Sequence, residues 1–147
     1  MPKINKDLIG IAGVHFVAYR LSLRGLIALP TIRNTGGIDL LVYDPTTGKE
    51  SAVQVKTSQK KVSFWPTSTY SGAFKSPTGA YVFLRFIAAS DTFEAFLKPA
   101  NLVATTIQAN EAAYKAKGHA KFPYWDLPST PAQRQALIDA WITWRPA

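Results

Sequence analysis

The chain contains no cysteine, two histidines and one methionine among its 147 residues. Without cysteine there is neither a disulfide framework nor a thiolate zinc site, and two histidines are too few for a zinc-hydrolase centre. Acid is also scarce: 9 Asp and Glu stand against 17 Lys and Arg, a net charge of +8 with a pI near 9.8. That balance suits a polyanionic partner, although many basic proteins bind none. No apolar run approaches the roughly 18 residues of a membrane helix, and no basic–apolar–small segment opens the chain. The expectation is a cytoplasmic protein with no membrane contact. No internal repeat or low-complexity segment occurs, and 147 residues at 47% hydrophobic fit one domain over 1–147 with a sizeable core.

Apolar spacing predicts a helix over about 5–24, with Asn5 as cap, Asp7 in the first turn and Gly25 as terminator. Leu26 to Ile32 reads as a short strand interrupted by Pro30, and Asn34-Thr35-Gly36-Gly37 as a turn. Two strands follow at roughly 38–43 and 51–57. Residues 58 to 78, rich in Ser, Thr, Pro and Gly, read as a long irregular segment of the kind that is more often functional than a plain connector. Ala80 to Ile87 is a strand buried on both faces, since it lacks alternation, and Thr92 to Leu97 is its alternating successor. Pro99 and Ala100 open a helix to about Lys117, stopped by Gly118. Phe122-Pro123-Tyr124-Trp125 is an aromatic connection packed on the core. A last helix starts near Thr130-Pro131 with Leu137, Ile138, Trp141 and Trp144 as its stripe. The order predicts an α/β (α+β mixed) fold, a central mixed sheet flanked by helices.

The two middle strands carry the chemistry. If Asp44-Pro45-Thr46-Thr47-Gly48-Lys49 makes the reversal, Asp39 falls opposite residues 54 to 56, and Asp39, Gln54 and Lys56 share one sheet face. Ile38, Leu40, Val42, Val53 and Val55 form the apolar face. A carboxylate, an amide and an ammonium together at mid-sheet need partners, because buried polar groups are costly without them. A metal ion and a phosphate meet that need.

Gly37-Ile38-Asp39-Leu40-Leu41-Val42-Tyr43-Asp44 followed by Val53-Gln54-Val55-Lys56-Thr57-Ser58 resembles the PD-(D/E)-x-K nuclease superfamily, which includes restriction endonucleases and Holliday-junction resolvases. The resemblance runs from the opening helix through Ser58 and implies a restriction-endonuclease-like sheet. It also implies that Asp39 and Gln54 hold Mg²⁺ or Mn²⁺ weakly, with the Val55 carbonyl as a further ligand, and that Lys56 orients the attacking water. The sequence departs from the superfamily twice. Gln54 stands where an acid is usual, and Val14, after Gly13, stands where close relatives carry Glu on the first helix. The implied activity is metal-dependent hydrolysis of nucleic acid, DNA as partner, with a homodimer suited to cutting two strands.

Arg20, Arg24, Arg33, Ser58, Lys60, Lys61 and Lys75 are the candidate nucleic-acid contacts. Phe64 and Trp65 either stack on bases or cover the sheet, the second being the more economical reading. Thr47-Gly48-Lys49 is a hairpin turn and not a phosphate loop, since Tyr43 and Glu50 occupy positions that need Gly and Ser or Thr. His15, His119 and Asp7 lack catalytic company. Two other classes stay open: a nuclease-fold module that binds DNA or a partner without cutting, and an interaction protein with no nucleic-acid role.

Overall fold

A computed structural model describes residues 3–32, 37–119 and 122–147. Helix α1 (Lys6–Leu23) begins where the Asn5 side chain accepts the Asp7 N–H at 2.8 Å, and it buries Ile9, Gly13, Val17 and Leu21, a strict four-residue spacing. The chain turns at Gly25, whose φ of 81° only glycine adopts freely. It then enters β1 (Ile27–Pro30), β2 (Leu40–Tyr43) and β3 (Glu50–Ser58). A ribbon strand β4 (Phe64–Pro66) precedes β5 (Ala80–Ile87) and β6 (Thr92–Pro99). Helix α2 (Ala100–Ala116), strand β7 (Tyr124–Asp126) and helix α3 (Pro131–Thr143) complete the order.

The main sheet runs β1-β2-β3-β5-β6. Only β3 and β5 pair in parallel; the other three pairings are antiparallel. Alternation along the strands splits the core in two. Val53, Val55, Val82, Leu84, Ala95 and Leu97 pack with Val17 and Leu21 of α1 and Trp141 of α3. Tyr81, Phe83 and Phe96 face the other way, against Ala100, Val103 and Ile107 of α2 and the tryptophans Trp65 and Trp125. Strand β5 is therefore covered on both faces, which is why it reads as a continuous apolar run. The fold is mixed α/β, a five-stranded sheet flanked by three helices.

Two expectations need correction. The segment 58–78 is not irregular throughout, since it contains β4, and the aromatic connection contains β7; the two pair as an antiparallel ribbon, Phe64 with Asp126 and Pro66 with Tyr124. Strands of three residues whose partners lie some sixty positions away leave no local signal. Asp39 lies one residue before β2 rather than within it. The turn Asn34-Thr35-Gly36 falls outside the described residues.

Candidate active site

The site is set by how β2 ends against β3. Leu40 pairs with Val53 and Tyr43 with Glu50, yet the Asp39 N–H also donates to the Val53 carbonyl at 2.9 Å. Two residues thus face one, the arrangement of a β-bulge, which re-aims a side chain at the end of a ladder. The re-aimed side chain is Asp39: its Oδ2 accepts the Val55 N–H at 2.7 Å. The carboxylate stands in for the backbone acceptor that β2 would have supplied had it run further. Within a strand the N–H and C=O of one residue point the same way, so the Val55 carbonyl is directed to the same edge.

Gln54 and Lys56 pair with Tyr81 and Phe83 of β5, both in the α2-side core, whereas Val53 and Val55 belong to the α1-side core. The expected division of β3 into a polar and an apolar face matches this. Gly37, at φ 76°, lies against the Gln54 amide; a methyl there would sit 3.6 Å from Oε1. Burial raises the Asp39 pKa above the usual carboxylate value, with the Val55 N–H and the Lys56 charge pulling the other way. Burial lowers the Lys56 pKa, Asp39 opposes that shift and Lys6 adds to it. The Tyr81 hydroxyl is pushed up to about 12 by burial, with a Phe74 backbone hydrogen bond opposing and Asp39 reinforcing. Asp39 is therefore within electrostatic reach of both Lys56 and Tyr81. Sequence reading missed Tyr81, because its place beside Gln54 depends on a parallel pairing that no local pattern encodes.

The N-terminal end of α1 closes on this site. Gln59 clasps Ile4 with both ends of its amide, accepting the N–H at 3.0 Å and donating to the carbonyl at 2.9 Å. Gly13 packs on β3 so closely that a methyl would overlap Thr57 Oγ1. Thr57 Oγ1 is itself buried without a hydrogen-bond partner. Val14, the residue in the Glu position of the resemblance, is half-buried against the core that holds Val53 and Val55. It belongs to the apolar side of β3.

The cations divide sharply. Arg24 donates to the Trp141 carbonyl and lies 4.4 Å from the Trp141 ring centroid. Burial, together with Arg20 and Arg145, lowers its pKa. Arg20 lies over Phe16, about 21 Å along the helix from Lys6 at the standard rise. Arg20 and Arg24 therefore sit at the C-terminal end of α1, at the opposite end of the helix from Lys6. Arg33 lies outside the described residues. Ser58 accepts the Lys60 N–H at 3.1 Å, and Lys60 and Lys61 are exposed. Lys75 is half-buried, 4.7 Å from the Tyr70 ring centroid and bonded to the Ser71 and Ala73 carbonyls. Sequence reading also passed over Arg85, buried in an ion pair with Glu94 at 2.7 Å. Arg85 donates to the Val62 carbonyl at 2.9 Å and so anchors the turn that presents Lys60 and Lys61.

Among the described residues no three His, Cys, Asp or Glu side chains converge on a metal position. Two surface depressions of about 510 and 530 Å³ are lined by Leu29, Leu41, Tyr43 and neighbours, and by Gln108, Glu111, Lys115 and His119. Asp39, Gln54 and Lys56 line neither. The donors present at the bulge are one carboxylate, one amide oxygen and one backbone carbonyl, all hard oxygens. That set fits a Mg²⁺-type ion that keeps its waters and leans on substrate phosphates.

No protein-family model matches this sequence, and neither does any curated protein sequence. Among solved structures the fold is similar to that of the bacterial homing endonuclease I-Ssp6803I, at 13% identity and a TM-score of 0.49, over 88% of this chain and 80% of that one. No helix among the described residues is long and apolar enough to cross a membrane.

Proposed function

We propose that the chain is a metal-dependent nuclease of the PD-(D/E)-x-K type that hydrolyses phosphodiester bonds in DNA. One observation supports the reading: Asp39 accepts the Val55 N–H at the edge where β2 stops and lies within electrostatic reach of the half-buried Lys56, two residues on from Gln54. Asp39, Gln54 and the Val55 carbonyl would hold Mg²⁺ or Mn²⁺. The ion supplies charge neutralisation at phosphate and a more acidic water when bound. Lys56 orients the attacking water and offsets the charge that grows on the phosphoryl oxygens as the P–O bond breaks. Its partial burial strengthens that interaction, since a charge in a poorly solvated site acts with less screening. Exposed Lys60 and Lys61, two and three residues past the site strand's end, hold the backbone in place.

A second reading has its own support. Among the described residues no further pair of acids or histidines joins Asp39 in a metal-binding cluster, and one of its oxygens is already spent on the Val55 N–H, an arrangement sufficient for a DNA-binding module that does not cut. Calorimetric titration with Mn²⁺, together with plasmid cleavage in Mg²⁺, separates the two. A nuclease shows Mn²⁺ heat and nicking, with both lost in Asp39→Asn and nicking alone lost in Lys56→Ala. DNA binding with neither heat nor nicking establishes the module instead.

A further inference from the structure

The β4–β7 ribbon has two faces of different character. Its inner face is fully employed: Trp65 and Trp125 are buried, and Trp125 stacks on Phe83 at 4.0 Å between ring centroids. The Trp65 indole N–H donates to the Leu84 carbonyl at 3.1 Å. Those contacts suffice to hold the ribbon on the sheet. The outer face carries Phe64 and Tyr124, joined by Phe122 from the approach to β7 and Tyr114 from the last turns of α2. These four belong to neither core cluster. Their ring contacts are with one another and with His119, at 4.9 to 6.5 Å between centroids. Phe64 is 42% exposed and Phe122 39%.

Large aromatic rings left facing water in a group mark a surface kept for something else. The charge around them indicates what that is. Exposed Lys60 and Lys61 lead into β4, and exposed Lys115 and Lys117 flank Tyr114 at the other border. The nearby acids are engaged within the protein: Asp126 accepts from the Asn110 amide, and Glu111 from the Tyr70 N–H. The ribbon's inner face packs beside the strand that pairs with the site, since Trp65 lies against Phe83 and Phe83 is the β5 partner of Lys56.

We propose that the outer face of the β4–β7 ribbon is a stacking platform for unpaired bases of a nucleic-acid strand, its backbone held by the bordering lysines. Stacked rings give affinity without sequence preference, since every base has a π-face. The inference rests on the nucleic-acid reading above and adds single-stranded or locally opened substrate to it. A strand leaving Lys56 along Lys60 and Lys61 would arrive at Phe64.

The test is fluorescence anisotropy of a labelled oligothymidylate, beside a duplex of equal length, with the full chain and its variants. Phe64→Ala and Phe122→Ala should each weaken oligothymidylate binding about tenfold and change duplex binding far less, with the far-ultraviolet circular dichroism preserved. Phe64→Tyr should retain binding and Phe64→Leu should lose it, because leucine keeps apolar area and gives up the ring face. Equal binding by Phe64→Leu and wild type, or equal loss on strand and duplex, overturns the platform; retained binding in Phe64→Leu would instead fit an apolar protein contact. If wild type nicks plasmid but ignores oligothymidylate, the platform fails and the nuclease stands. If the aromatic variants lose the strand while wild type never cuts, the platform stands and the nuclease fails.

Discussion

The two ends of α1 treat positive charge in opposite ways. At the C-terminal end Arg24 and Arg145 are spent on the protein itself. Arg24 is seated on Trp141, and Arg145 reaches both the Asp44 carboxylate at 3.2 Å and the Arg24 carbonyl at 2.7 Å. At the N-terminal end Lys6 and Lys56 repel one another across the start of the helix, and the exposed Lys60 and Lys61 lie beyond. A net charge of +8 is thus no map of a binding surface. One end uses charge as a fastener, and the other leaves it for something from outside.

The strongest challenge to that contrast is Arg85, which fastens the turn bearing the free lysines. Arg85→Ala removes the buried partner of an ion pair whose Glu94 side chain is 32% exposed, and should cost roughly 2–3 kcal/mol in urea denaturation, with DNA affinity falling as the 59–63 turn loosens. Affinity unchanged in that variant would separate the turn from binding. Next in size, Arg24→Ala gives up a cation–π contact and a hydrogen bond, about 1–2 kcal/mol together. DNA affinity should stay within twofold of wild type. A larger drop in affinity would return Arg24 to the binding surface.

Lys60→Ala and Lys61→Ala reverse that pattern. Stability should hold within about 0.5 kcal/mol, while the slope of log affinity against log salt falls by about 1 for each. The smallest effect is that of Asp39→Asn on metal-free stability. The folded-state pKa of Asp39 lies above its ordinary value because of burial, so the protonated form favours the fold. Its contribution is full below the unfolded pKa and is lost as pH rises through the folded one. Asp39→Asn should therefore raise the melting temperature at pH 7 and leave it unchanged at pH 3. A lower value at pH 7 would mean that ionised Asp39 supports the fold, and the bulge would then be scaffold rather than site.

The hairpin was legible in the sequence because its turn is local: Asp44 to Lys49 fixes the reversal, and the pairing of Tyr43 with Glu50 follows from it. The sharing of a face by Gln54 and Lys56 needs only the two-residue period of a strand. The bulge was not legible, since it rests on a second backbone bond to the Val53 carbonyl that no local residue pattern marks. The roles of Arg24, Arg85 and Tyr81 were hidden for a related reason. Each is defined by a partner distant in sequence or in a neighbouring strand, and a Lys- or Arg-rich composition looks the same whether its charges are engaged or free. The β4–β7 ribbon was lost because three-residue strands carry too little pattern to separate from a loop.

The bond from the Val55 N–H to Asp39 Oδ2 gives the molecule a built-in gauge. A backbone amide whose acceptor is a side chain exchanges its proton for deuterium whenever that side chain turns away. Its nitrogen resonance moves with the charge on the acceptor. Isotopic labelling of one valine would thus let a spectrometer watch the carboxylate directly, titrating it, following an ion's arrival or catching its release, without any substrate in the tube.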